Sequence, residues 1–223
     1  MKSIRIASRI ALLVAAVLAL PVAAHAQSSN SVWQGPYAGI NAGGLFSSTS
    51  ATIGENNSVG GFNGNGGGFT GGVQAGYNWM LGPVMLGGEV DFQGSTETTN
   101  LFGGAGNSQI AATSAVPWYS TFRARLGYPV GSVMPYITGG AVWGHQTLSG
   151  FDPSAGGNFS ASNNFWTYVV GVGMEGRIAQ AWTAKLEYLW IGSPDTALSS
   201  PASTSIDERS IGNVVRVGLN YHF

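Results

Sequence analysis

Three arrangements in this sequence combine residue types and spacings that chemistry could use. Gly171-x-Gly173-x-x-Gly176 has the letter pattern of a dinucleotide-binding turn, in which glycines let backbone amides approach a pyrophosphate. That chemistry needs a strand before the glycines and a helix after them. Here they lie inside one alternating segment, Trp166-x-Tyr168-x-Val170-x-Val172-x-Met174. The glycine-rich stretch from Gly60 to Gly72 lacks the Lys-Ser/Thr pair of a phosphate-binding loop. The histidines are the second arrangement. His145 and His222 fall at opposite ends of the elements described below, and neither has a nucleophile or carboxylate in catalytic spacing within its own segment. With no Cys and no His cluster, a metal centre has no ligand set. The expectation is a chain without catalytic, cofactor-binding or metal-binding residues, and without a cofactor; it is not an enzyme.

The third arrangement is electrostatic. Glu89 and Asp91, Arg123 and Arg125, Glu175 and Arg177, and Lys185 and Glu187 are each two residues apart, and Arg216 stands alone. A spacing of two puts both members of a pair on one face of a β-strand. The other face is apolar, as in Phe122-x-Ala124-x-Leu126-x-Tyr128 and Trp182-x-Ala184-x-Leu186-x-Tyr188-x-Trp190. In a barrel that crosses a bilayer, an Arg or Lys facing lipid at mid-depth costs about 2–4 kcal/mol. The nine charges are therefore expected to point into the lumen and form a charge network there. Five basic and four acidic groups would nearly cancel. Replacing lipid-facing Leu126 by Arg should block assembly, whereas Thr121→Arg, nearer the outer end of the same strand, should be tolerated. Small inward residues (Gly39, Asn41, Gly43, Gly72 and Gly76) leave a thin water path open as an alternative to a plug.

Eight segments carry this alternation: 37–47, 69–79, 84–95, 116–128, 133–148, 165–178, 182–191 and 211–223. Their lengths are close to the 9–11 tilted residues that cross a bilayer. The fifth is the least defined, with no charge to fix its faces: Tyr136, Thr138 and Gly140 lie on one side and Ile137, Gly139 and Ala141 on the other. Three connections are tight, at Gly82-Pro83, Gly131-Ser132 and Gln180-Ala181. Four are long and rich in Gly, Ser, Asn and Thr, at 48–68, 96–115, 149–164 and 192–210. Strict alternation of short and long is the pattern of outer-membrane barrels, whose tight turns face the periplasm. The long connections carry Glu55, Glu97, Asp152, Asp195, Asp207 and Glu208 against Arg209 alone, an acidic rim.

The N-terminus reads as an export signal. Lys2, Arg5 and Arg9 precede an apolar run from Ile10 to Leu20, followed by Ala24-His25-Ala26, a small-x-small cleavage pattern. Residues 1–26 are expected to be a signal peptide removed after Ala26, and residues 27–223 a single barrel domain. Six basic and ten acidic side chains then remain, a net charge of about −4, unsuited to nucleic acid. Charged residues are 9% of the chain, against roughly 25% in soluble domains. No apolar run is long enough for a helical span. Together these imply an all-β, eight-stranded antiparallel up-and-down barrel in the outer membrane of a Gram-negative cell.

The last residues, Arg216-x-Gly218-x-x-Tyr221-x-Phe223, resemble the signal read by the barrel assembly machinery. Gly35-Pro36-Tyr37-Ala38-Gly39, Gly71-Gly72-x-Gln74-x-Gly76-Tyr77-Asn78-Trp79, Thr121-Phe122-Arg123-Ala124-Arg125-Leu126-Gly127-Tyr128, Pro135-Tyr136-Ile137-Thr138-Gly139-Gly140 and Lys185-Leu186-Glu187-Tyr188 resemble the alphaproteobacterial outer-membrane β-barrel proteins, the small "porin family" or opacity-like group. The resemblance spans essentially the whole of 27–223. It implies an abundant cell-surface barrel without enzyme activity. Some members of that group are described as porins, others as surface antigens or hemin binders. Three functions are therefore open: a structural surface protein, a narrow pore for small polar solutes or ions, and a loop-based binder of a host factor or hemin. The expected partners are outer-membrane lipid and, during biogenesis, the assembly machinery.

Overall fold

Residues of opposite character alternate along most of this chain, and only extended backbone gives such a pattern two unlike faces. The computed structural model describes residues 33–55, 58–105, 108–152, 157–192 and 205–223. They form eight strands: β1 (Gly35–Glu55), β2 (Ser58–Leu81), β3 (Val84–Ala105), β4 (Ser108–Gly127), β5 (Val133–Asp152), β6 (Gly157–Arg177), β7 (Trp182–Ile191) and β8 (Ser205–His222). Each strand pairs antiparallel with the next, and β8 pairs with β1 to close the barrel. The number and order of strands are those expected from the sequence. Both Gly82 and Gly131 have φ of +64°, the left-handed conformation that tight turns demand of glycine. The proposed signal peptide, with Ala24 and Ala26, lies outside the described residues, as does Asp195.

Strand length is where structure and expectation part. Only β7 has the expected bounds; most of the others run on into stretches expected to be loops. The β1–β2 ladder continues to Glu55↔Ser58, β3–β4 to Ala105↔Ser108 and β5–β6 to Asp152↔Gly157. Above the lipid neither face of a strand meets hydrocarbon, so the two-residue hydrophobic period disappears while the hydrogen-bond ladder continues. Gly, Ser, Thr and Asn there look like loop composition. The ten residues of β7, at about 3.3 Å each and tilted about 40°, cover roughly the 25 Å apolar band of such barrels. Strands of 20–24 residues are twice that, so most of the wall projects well beyond the membrane.

Pro117 sits inside β4 and has no N–H for the ladder. The register shifts beside it on both sides, between Gly94 and Glu97 of β3 and between Ala115 and Trp118 of β4. These bulges lie where the wall leaves the lipid.

The two faces sort as the alternation requires. Ile40, Phe92, Leu126, Leu186 and Val217 stand on the outside and are exposed, whereas Arg125, Glu175 and Glu187 are buried within the ring. In β5, Tyr136 and Thr138 point inward and Ile137 outward. Aromatic rings gather at both edges of the apolar band. Phe92, Trp118, Trp143 and Trp166 contact one another in sequence at the outer edge, and Trp182, Tyr221 and Phe223 do so at the inner. Amphipathic rings at the two interfaces are a feature of spanning barrels.

Candidate functional site

Most of the described side chains that could act chemically lie inside the ring, in layers. The central layer holds eight of the nine expected charges. β3 contributes Glu89 and Asp91, β4 Arg123 and Arg125, β6 Glu175, β7 Lys185 and Glu187, and β8 Arg216. Arg123 bridges three carboxylates: Glu89, Asp91 at 3.0 Å and Glu187 at 2.8 Å. Arg216 donates to Glu187 at 2.7 Å and to Asp91 at 2.9 Å. Lys185 Nζ donates to both oxygens of Glu89 at 2.9 Å. Arg125 reaches Glu175 at 2.6 Å and lies 4.1 Å from the Tyr136 ring centroid and 5.5 Å from that of Tyr37. Four cations thus face four anions, with all their side chains fully buried. Arg177, the ninth, is half-buried towards the periplasmic end and forms no ion pair among the described residues.

Neutral groups complete the layer. Tyr37 donates to Glu89 at 2.7 Å and Tyr136 to Glu187 at 3.0 Å. A relay runs from Asn41 to Gln74 (2.9 Å), Gln74 to Asn220 (2.5 Å) and Asn220 to Glu175 (2.9 Å). The inward glycines expected to leave a water path are occupied by neighbours instead. A Cβ on Gly76 would strike the Tyr37 ring, one on Gly173 the Tyr136 ring, and one on Gly43 Arg216 itself. Gly173 belongs to the dinucleotide-like triplet, so the spacing there makes room for a tyrosine. Thr121 is another correction. It is fully buried and donates to Asp91 at 2.8 Å while accepting from Arg123 at 2.9 Å. No room is left for an arginine at that position.

Two further layers were not foreseen. On the outer side, Leu45, Tyr119, Val142, Val169, Leu189 and Val214 form a buried apolar cluster in the lumen, one residue from each of β1 and β4 to β8. β2 adds Thr70, whose hydroxyl lies 3.0 Å from that of Tyr119. A signal for this layer does exist in the sequence: apolar residues double up at Leu45-Phe46, Val142-Trp143, Val169-Val170, Leu189-Trp190 and Val214-Val215. Doublets break the two-residue period, and they mark one height in the barrel. At the periplasmic end, Trp33, Met85 and Met134 form a second buried cluster with Met80 against it. Trp33 precedes the first strand, so no periodicity could have placed it.

The remaining candidates fall outside this centre or at its edge. His222 Nε2 is 3.2 Å from the Thr183 hydroxyl and 3.4 Å from Glu175. Its ring stacks on Tyr37 at 5.4 Å. The carboxylate missing from its own strand is thus supplied by β6. His145 pairs with Asn164 at 2.8 Å and stacks on Trp118 at the opposite end. Within the C-terminal pattern, Arg216 belongs to the network, Gly218 lies against the Lys185 and Gln74 side chains, and Tyr221 and Phe223 face outward. Glu97, expected on the rim, is buried and accepts from Ser47 and Thr99, each at 2.6 Å. Glu55, Asp152, Asp207, Glu208 and Arg209 lie in strands, but their side chains are outside the described residues. No group of three or more metal-ligating residues occurs among the described residues.

Comparison with known proteins places this arrangement. The family described as "Outer membrane protein beta-barrel domain" matches residues 11–223. The 31 kDa outer-membrane immunogenic protein of Brucella melitensis is 37% identical over 242 residues, covering 100% of both chains. The 22 kDa outer membrane protein of Rhizobium leguminosarum bv. viciae is 30% identical over 159 residues, 70% of this chain and 67% of that one. Among solved structures, Neisserial surface protein A matches with a TM-score of 0.44 and 12% identity over 84% of this chain and 97% of the other.

Proposed function

Since this chain belongs to the outer membrane protein beta-barrel family, we propose that it serves the envelope as a closed, non-conducting surface barrel rather than as a pore. It is an outer-membrane β-barrel protein of a Gram-negative envelope; what it does there is the question. One observation carries the reading: four cations compensated by four anions, held between an apolar layer above and another below. An eight-stranded lumen is just wide enough for side chains to fill. An ion crossing this one would have to break the pairs and carry water through both apolar layers. The long hairpins raised beyond the lipid carry sequence rich in Gly, Ser, Asn and Thr to the exterior. Surface display also suits relatives named as outer-membrane immunogenic proteins. In this reading the partners are outer-membrane lipid around the apolar band and the assembly machinery that reads the last strand. No enzyme activity is part of it.

Single-channel recording of the refolded protein in planar bilayers tests this. The expected result is silence over a range of voltages. Reproducible unitary conductance would establish a pore and overturn the reading.

A further inference from the structure

Most of the lumen is closed by residues of the barrel wall. The periplasmic mouth is closed by one that is not. Trp33 lies two residues before β1, yet it has no exposed surface. Its socket is built from Met85 of β3 and Met134 of β5, with Met80 of β2 against them. Gly127 of β4 lies beneath; a Cβ there would crowd both Met85 and Met134. Methionine is suited to such a socket, since its unbranched thioether moulds to an irregular partner. The indole edge meets the His222 ring of β8 at 6.4 Å. Gly35 turns the chain inward, with φ of +120°, a conformation that L side chains rarely adopt.

The polar atoms around this indole are poorly served. Among the described residues, Trp33 Nε1, both side-chain atoms of Asn78, and His222 Nδ1 are buried without a hydrogen-bond partner. Asn78 is fully buried on β2, in register with Gly35 of β1. Buried polar groups without partners favour any state in which water reaches them. Seating the indole removes apolar surface from water, and releasing it hydrates these atoms, so the closed arrangement is opposed by a defined set of groups.

We infer that Trp33 is a seated stopper: the turn ahead of β1 folds back into the periplasmic mouth and can leave it without any strand of the barrel separating. Its removal opens a short periplasmic chamber that ends at the Tyr37–Arg125 layer and does not make a pore. The stopper stands or falls independently of whether the charge network above it conducts.

The chain contains no Cys, so a single introduced thiol reports cleanly. In the refolded protein, Asn78→Cys should react slowly with a polar, membrane-impermeant maleimide. Adding Trp33→Ala should raise the rate at least tenfold, whereas Trp33→Phe should leave it within about twofold. Gly35→Ala should also raise it, because a Cβ there meets only Phe223 O at 3.8 Å and acts through the backbone turn alone. This variant carries the test if Trp33→Ala does not fold. Heat-modifiable gel mobility should be unchanged throughout, showing an intact barrel. A second reporter, Gln93→Cys, lies beyond the network and should stay protected in every background. Unchanged Asn78→Cys labelling in both the Trp33→Ala and Gly35→Ala backgrounds, or fast labelling with Trp33 in place, would overturn the stopper. Labelling of Gln93→Cys on loss of Trp33 would overturn the short chamber.

Discussion

Arg123 is the residue on which most of the interior depends, because one guanidinium serves Glu89, Asp91 and Glu187 at once. Removing one partner of a buried pair leaves uncompensated charge and costs about 3–5 kcal/mol. Arg123→Ala takes one cation away from three buried carboxylates, leaving Lys185, Arg125 and Arg216 to serve them. It should lower unfolding stability by at least that amount, read from urea titration of the protein in detergent or lipid. A loss below about 1 kcal/mol would mean that the pairs are solvated and the lumen is wet. The lipid side has its own test. Leu126→Arg puts a charge among hydrocarbon and should abolish the heat-modifiable band. Thr121→Arg should impair folding as well, by forcing a fifth cation into a full network. That all eight of these charges point inward was legible from the alternation, which sets each of them opposite an apolar face. Which charge meets which was not. Spacing along a strand gives the face, but height in the barrel depends on the stagger between strands, and a single sequence does not record it. Thr121 was misjudged for that reason: its face was legible and its depth was not.

At the scale of elements, each strand has two parts. The lower part is patterned by lipid on one side and lumen on the other. The upper part has no lipid face and is held by its ladder and by polar side-chain bonds such as those of Ser47 and Thr99 to Glu97, and there the composition turned loop-like. This is why β7 was legible to the residue and β1, β2 and β3 were not. The two parts should be separable. Replacing residues 49–64 by a two-residue turn between Ser48 and Asn65 removes the top of the β1–β2 hairpin but touches neither the ion pairs nor the apolar layers. That variant should refold and keep its heat-modifiable mobility, whereas loss of folding would show that the extensions nucleate the ring. Doublets such as Val169-Val170 carry a different lesson. They looked like blurred alternation, and they turn out to be the outer seal of the lumen. Trp33 had no signal of any kind, since its position follows from a turn at Gly35 and a socket drawn from three distant strands.

For the whole molecule, the number and order of strands and the outer-membrane location were legible, because lipid imposes a strong and simple rule on every strand at once. One consequence of the central layer concerns the path by which the barrel is made. Its contacts are far apart along the chain: Arg123 and Glu187 are 64 residues apart, Lys185 and Glu89 96, and Arg216 and Asp91 125. None of these three pairs can form until β7 or β8 has arrived. A half-built sheet could pair Glu89 and Asp91 with Arg123, but Lys185, Glu187 and Arg216 would still be absent from the layer, and its compensation is complete only at closure. Contacts of such long range make for slow folding, and here they also remove the intermediate resting places. Insertion into vesicles should then occur as a single kinetic step by both tryptophan fluorescence and gel shift. A populated, partly inserted species would show that the charges are neutralised before the ring is complete.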